Sequence, residues 1–419
     1  MTARSVATAL LVTLPLVVGP ARTSTTAAPE GRAPGDTRLV PAVEAAFGQE
    51  SYHPGRRARL LVRDRSRHLT IQIFEAGPEI DTTASDIEMT GIPVTGLKAI
   101  TRRPGPRHLS VPVGRWRSGL YFARLEAPDG RIGFAPFVVA PRHLGVERVA
   151  IVLPTLTWQA YNFRDDDGDG RADTWYAQKR SKTVRMGRAF LDRGVPYGFR
   201  FHLGFLHWLH WTGRRADVLS QWDLEHVRDP QALRRAYDLI VFAGHHEYVT
   251  TREYDLVERY RDLGGNLMFL SANNYYWRVV RRGKIIEKAG RWRDLDRPES
   301  ALVGVQYRAN QRSPRRPWVA RQTPARRWLL TGTGLRLGSR FGRGGVEIDH
   351  VTSDSPPRTQ VLAEIPNIFG PGKTAQMTYY ETGAGARVFA AGAFHLTRAV
   401  GTDYAVWRLL ENLWARLAR

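Results

Sequence analysis

Residues 237–278 read YDLIVFAGHHEYVTTREYDLVERYRDLGGNLMFLSANNYYWR, and this stretch decides the fold. Leu239 to Ala243 is a short apolar run with β-branched residues, the composition of a strand buried on both faces. Gly244 stops it, and His245-His246-Glu247-Tyr248 follows at once. Thr250-Thr251, with Glu253 behind it, resembles a capped helix start. Tyr254, Val257, Tyr260 and Leu263 then recur at helical spacing, and Gly264-Gly265 closes the helix. Asn266 to Leu270 is a second buried strand, ended by Ser271-Ala272-Asn273-Asn274. The unit is strand, polar turn, helix, strand, polar turn. Ligands of open α/β sheets sit outside the carboxyl ends of the strands. The two polar clusters, His245 to Tyr248 and Asn273 to Tyr276, mark the expected site.

Working outward, Val149 to Leu153 is a further buried strand, followed by Thr157-Trp158-Gln159-Ala160-Tyr161-Asn162. Arg185 to Arg193 reads as a helix, and Phe201 to Gly213 as an aromatic helix. Ala216 to Leu219 is a strand and Gln231 to Tyr237 a helix. This alternation predicts a doubly wound parallel sheet over residues 143–419. An Arg-, Pro- and Gly-rich stretch at about 290–376 reads as loops and short strands inserted into it. Met377 to Glu381 and Ala386 to Phe394 return to strands. Thr402 to Leu417 closes the chain as an amphipathic helix, with Tyr404, Trp407, Leu410 and Trp414 on one face. Upstream, residues 40–142 carry alternating runs separated by turn signals such as His53-Pro54-Gly55, the pattern of an immunoglobulin-like β-sandwich.

The 419-residue chain has no Cys, which removes disulfide and thiol chemistry. Residues 1–28 carry Arg4, an apolar Val6 to Val18 and then small residues, as a secretory signal peptide does. A Pro/Gly-rich linker follows at 29–39. A secreted protein is therefore expected, and no later run is apolar enough to span a bilayer. The net charge of +22 is spread along the chain, without a nucleic-acid-binding signature. It suits adhesion to an anionic cell wall and leaves self-association open.

Two sets of residues carry chemistry. Asp165-Asp166-Asp167-Gly168-Asp169-Gly170-Arg171-Ala172-Asp173 alternates carboxylates around a turn glycine, as a Ca²⁺ loop does. Asp165, Asp167, Asp169 and Asp173 are the candidate ligands. Tyr176 stands where a bidentate Glu would complete an EF-hand, so a solvated acidic loop is the alternative. His245 and Glu247 at one strand end, with Asn273 at the next, suit a general base, metal ligands or a hydrogen-bonded turn. His202, His207 and His210 read as packed helix residues, Arg281-Arg282 as solvated, and Thr331-Gly332-Thr333-Gly334 as a turn without phosphate-loop context.

Several short motifs, taken in order, resemble the N,N-dimethylformamidase large-subunit family. They are Thr157 to Asn162, Gly244 to Tyr248, Gly264 to Met268, Asn273 to Trp277, Gly304-Val305-Gln306-Tyr307 and Tyr380-Glu381-Thr382. The resemblance implies a class I glutamine-amidotransferase-like α/β fold and hydrolysis of a small amide at a mononuclear Fe³⁺ held by two tyrosinates and a glutamate. Carried over, Tyr161, Tyr176 and Glu247 would be the ligands, with Tyr197 standing in for Tyr176 if loop length shifts the match. His245, Asn273 and Glu381 would surround the metal. Asn274 departs from the glycine more usual there, and the chain is much shorter than the large subunit. The rival expectation is a non-catalytic surface or glycan-binding protein in which the α/β region is scaffold and the Ca²⁺ loop serves adhesion.

Overall fold

In the parallel half of the main sheet, successive residues of each strand belong to different cores. Val149, Ile151 and Leu153 join one apolar cluster, while Ala150 and Val152 join another. A strand buried on both faces has no polar alternation to keep, which is why these runs are continuously apolar. The computed structural model describes residues 42–80, 85–176 and 181–419. The expected signal peptide and linker lie outside the described residues.

The main sheet has ten strands: β1 (Val149–Leu153), β2 (Asp217–Ser220), β3 (Leu239–Phe242), β4 (Asn266–Phe269), β5 (Gln306–Ala320), β6 (Arg340–His350), β7 (Gln360–Ile365), β8 (Ala375–Glu381), β9 (Arg387–Ala390) and β10 (Ala393–Phe394). Their spatial order is β2-β1-β3-β4-β9-β8-β7-β5-β6-β10. From β2 through β9 every pairing is parallel, and beyond β9 every pairing is antiparallel. Four helices matter for the site: α1 (Thr155–Ala160), α2 (Arg200–Trp211), α3 (Thr251–Asp262) and α4 (Tyr404–Leu417). α2 and α4 pack in the cluster with Ile151 and Val241, and α3 packs in the other, with Val152 and Phe242. The protein is thus a mixed α/β structure with several sheets and few helices.

α3 begins where its sequence says it should. The Thr250 hydroxyl accepts from the Glu253 amide at 3.2 Å and donates to Glu225 at 3.1 Å. Gly264 takes a φ of +86° at the helix end, a conformation that a side chain resists. Glu253 does not complete a capping box, because its buried carboxylate goes to Gln221 and Tyr275 instead. Thr250→Ala is expected to cost about 1–2 kcal/mol of unfolding free energy in urea titrations, with Thr250→Ser sparing most of it. An unchanged midpoint in the alanine variant would remove the cap from the account.

Upstream, two sheets, antiparallel but for the short edge strand Ser51–Tyr52, share one core. Leu60, Val62 and Val111 come from one, and Ile71, Ile73, Ala123, Leu125 and Phe137 from the other. The outer face of the second sheet is not free. Leu120, Phe122, Phe134 and Val138 join the cluster of α2, so the sandwich and the main sheet pack as neighbours within one compact unit.

Four local expectations are corrected. Residues 185–193 form no α-helix: a strand, Thr183–Arg185, runs into a turn at Gly187, whose φ of +74° breaks helical geometry, and only a 3₁₀ turn, Asp192–Gly194, follows. The stretch at 290–376 is more than loops and short strands. Its strands β5 and β6 are 15 and 11 residues long and extend the main sheet. Many of their residues stay exposed, so their apolar pattern is weak. α4 buries Val406, Leu409, Leu410, Leu413 and Leu417, whereas Tyr404 is 69% exposed. Leucines, not the aromatic stripe, make its core face. Arg281 is buried rather than solvated, 2.8 Å from Glu50 and 3.4 Å from Glu225. His202 matches its packed reading: it lies between Trp158 and Phe199, and burial pushes its pKa down to about 3. No helix among the described residues is long and apolar enough to cross a membrane.

Candidate functional site

Strand order reverses between β1 and β3, and the segments leaving their carboxyl ends bring a polar cluster together there. From β1 the chain enters α1, whose C-cap is Tyr161. From β3 it passes Gly244, where a Cβ would meet Pro154 Cγ at 3.1 Å, and reaches His245 and Glu247. The amides of Tyr275 and Trp277 donate to the His246 and Glu247 carbonyls, which ties the turn after β4 to the turn after β3. Asn273 in that second turn has a φ of +52°, and its amide donates to both oxygens of Asp349 on β6, at 2.9 and 3.1 Å.

At the centre, the Tyr161 hydroxyl donates to the Glu247 carboxylate. His245 Nε2 stands 3.2 Å from Glu247 Oε2, 3.5 Å from the Tyr161 hydroxyl and 4.0 Å from Glu347 Oε2. Its Nδ1 faces the Ala272 carbonyl at 3.2 Å, so Nδ1 carries the hydrogen and Nε2 faces the acids. All four side chains are nearly sealed from solvent. Burial alone would favour neutral His245, but Glu347, Glu247 and the Ala272 carbonyl outweigh it and raise the ring's pKa. Burial and the Glu247 charge push Glu347 up to about 7, against the pull of His245 and of a hydrogen bond from Asn273. Burial, reinforced by Glu247, holds the Tyr161 phenol well above 10.

Aromatic residues wall this centre. The ring of Tyr176 lies 4.9 Å from that of Tyr161 and the ring of Tyr197 lies 5.6 Å from it, while the Tyr176 and Tyr197 hydroxyls are 3.3 Å apart. Lys288 sits with its ammonium 4.5 Å from the Trp277 ring, 5.2 Å from Trp175 and 5.6 Å from Tyr248. Burial lowers its pKa and the Glu247 charge opposes the shift.

The loop between Tyr161 and Tyr176 is held by Arg188. Its buried guanidinium donates to the carbonyls of Gln159, Asp173 and Arg164 at 2.7, 3.0 and 3.2 Å. Within the loop, Asp165, Asp167 and Asp173 bring carboxylate oxygens within 4.8 Å of one another. Asp169 is outside that group and accepts from the Arg171 amide at 2.8 Å.

The expected residues Tyr161, His245, Glu247 and Asn273 therefore gather, with Tyr176 and Tyr197 one ring away. Glu381 does not. It pairs in register with Arg387 at the amino end of β9, away from the carboxyl ends that carry His245, and it contacts Tyr379 and Arg416. Glu347 supplies the carboxylate instead. Val346-Glu347-Ile348-Asp349 is its only sequence signal: two acids two apart place both on one face of a strand whose intervening Ile348 is buried.

The model of the family described as N,N-dimethylformamidase beta subunit-like, C-terminal, matches residues 106–405. The chain belongs to that family. The match to N,N-dimethylformamidase beta subunit-like proteins takes in the last sandwich strands as well as every residue of the polar centre. No curated protein matches the sequence. Solved structures similar to parts of it include a superoxide reductase (neelaredoxin) from Ignicoccus hospitalis, 11% identical over 24% of this chain and 80% of its own, with a TM-score of 0.16. A cycloisomaltooligosaccharide glucanotransferase from Paenibacillus sp. is 9% identical over 55% of this chain and 45% of its own, with a TM-score of 0.18. A β-glucosidase from Listeria innocua is 12% identical over 24% and 16%, with a TM-score of 0.15. At such scores these likenesses carry no argument about chemistry.

Asp349 gives the site a pH signature in stability. Burial pushes its carboxyl up to about 8. An acid whose folded pKa exceeds its unfolded value holds its proton more tightly when folded, so stability falls as pH rises through that interval and levels off above it. The wild type is expected to lose several degrees of Tm between pH 6 and pH 9 relative to Asp349→Asn, roughly the response of about one to a few kcal/mol. Parallel Tm profiles for the two proteins would contradict this.

Proposed function

We propose that this protein is a secreted metal-dependent hydrolase of C–N bonds in small, non-peptide amides. The observation that carries the reading is the buried contact of the Tyr161 hydroxyl with the Glu247 carboxylate, beside His245. Two potentially anionic oxygens this close and this dry need a proton or a cation between them. In metal-free protein the phenol proton serves. Hard oxygen donors of this kind suit Fe³⁺, with Tyr161 and Glu247 as ligands and Tyr176 or Tyr197 as the third. When bound, such an ion would polarise an amide carbonyl or acidify a water.

The chain's own groups supply the remaining work. His245, its tautomer set by Ala272, offers Nε2 for proton transfer. Glu347 shares that proton load, its carboxylate held by the Asn273 side chain. Asn273 Oδ1 is buried without a hydrogen-bond partner among the described residues and is free to accept from a substrate. The Tyr and Trp walls favour small, partly apolar amides and exclude water.

The amidotransferase-like scaffold, the immunoglobulin-like character of the sandwich and export belong to the same proposal. So does Ca²⁺ at the acidic loop, supported by the convergence of Asp165, Asp167 and Asp173. Metal content and a visible spectrum of purified protein test the centre. Stoichiometric iron with a tyrosinate charge-transfer band is the expected result. Colourless, iron-free protein carrying only calcium would favour the adhesive reading.

A further inference from the structure

A cavity lies between the sandwich and α1, apart from the polar centre. It holds about 270 Å³ and is bounded by residues 45–50 and 136–137 of the sandwich, by Thr155, Trp158 and Gln159 of α1, by residues 186–188 and Phe190, and by Arg281, Gly283 and Lys284. Phe47, Phe137, Trp158, Met186, Phe190 and Trp222 make its lining largely apolar. Its charged lining residues are Arg188, Arg281 and Lys284 against Glu50, three cations to one carboxylate.

Arg281 is the informative member. Its side chain is only 8% exposed and its guanidinium lies 5.1 Å from the Trp222 ring. Nη1 reaches Glu50 at 2.8 Å and Nε stands 3.4 Å from Glu225, which does not line the cavity, while Nη2 is buried without a hydrogen-bond partner among the described residues. A buried guanidinium N–H left unmade is costly, and an acceptor entering the cavity would satisfy it. Lys284 makes no ion pair among the described residues. Its ammonium lies 4.0 Å from where a Cβ on Gly48 would stand.

We propose that this cavity is a binding site for a small amphipathic carboxylate, its apolar part against Trp158, Phe137 and Phe190 and its carboxylate between Arg281 and Lys284. Apolar walls exclude a bare inorganic anion, and the excess of cations selects an acid over its neutral analogue. The volume suits a ligand on the order of ten heavy atoms. Because Trp158 and Gln159 lie on the helix that ends in Tyr161, an occupant would buttress that helix.

Isothermal titration calorimetry with hexanoate and benzoate, against hexanol and benzyl alcohol, tests this on the full chain. Each carboxylate is expected to bind at least about tenfold more tightly than its alcohol. Gly48 has an ordinary backbone conformation, and its nearest neighbour to an added Cβ is the Arg59 carbonyl at 3.7 Å. Gly48→Phe therefore fills the cavity without backbone strain and should abolish binding. Lys284→Met should weaken the carboxylates about tenfold and leave the alcohols unchanged. Near-ultraviolet circular dichroism checks that both variants stay folded. Equal affinity for acid and alcohol, binding that survives Gly48→Phe, or no heat from either acid at millimolar concentration would each overturn the proposal.

Discussion

Glu247→Ala is expected to yield folded protein that has lost iron, its charge-transfer band and nearly all amide-hydrolysis activity. Glu247 is the point on which the candidate centre converges: it accepts from Tyr161, stands 3.2 Å from His245 and sets the field that Lys288 and Glu347 feel. Truncation leaves Tyr161 without its anionic partner and would deprive the proposed Fe³⁺ of its carboxylate. A Lewis acid stabilises the transition state by several kcal/mol, and each 1.36 kcal/mol is tenfold in rate. The turnover of small formamides and acetamides should thus fall by about a thousandfold or more. Glu247→Gln, which keeps shape and loses charge, should also bind iron poorly. Full metal occupancy in the alanine variant would refute the ligand assignment.

Glu347→Gln should separate chemistry from metal binding. Glu347 feels the charge of Glu247 but makes no hydrogen bond with Tyr161, Glu247, Tyr176 or Tyr197 among the described residues, so iron and its spectrum should persist. If its carboxylate carries protons with His245, the variant should lose about 10²–10⁴ in kcat with little change in KM. The sign of the pH response follows from its pKa near 7. Acting as a base, it works only when ionised, so wild-type kcat should rise with pH through neutrality, and the residual rate of the variant should not. A wild-type pH profile retained by the variant would assign the titration to another group.

The parallel half of the sheet was legible because strands buried on both faces must be apolar throughout, and Gly244 and Gly264 punctuate them. His245, Glu247 and Asn273 were legible for the same reason: polar residues at the ends of such strands stand out. Glu347 was not. Its strand carries RFGRGGVEIDH, with exposed Arg340 and a pair of glycines, and lacks a clean alternation. Glu381 drew attention through its motif, yet strand direction sends it to the wrong end of the sheet. Direction and pairing are long-range properties that local pattern does not encode. Arg281 misled for a related reason: its partners Glu50 and Glu225 lie far from it in sequence.

The position of β9 has a consequence for how the chain is made. This strand, Arg387–Ala390, lies between β4 and β8, where the parallel half meets the antiparallel half. Of the ten strands of this sheet, only β10 follows it in sequence. Until it docks, β4 and β8 each present an unsatisfied edge, and Glu347 has no fixed relation to His245. The sandwich precedes all ten strands in sequence, but the candidate site is completed only once residues 387–390 are in place. A nascent chain stalled before residue 387 would therefore leave β4 and β8 as open edges, ready to pair with another chain.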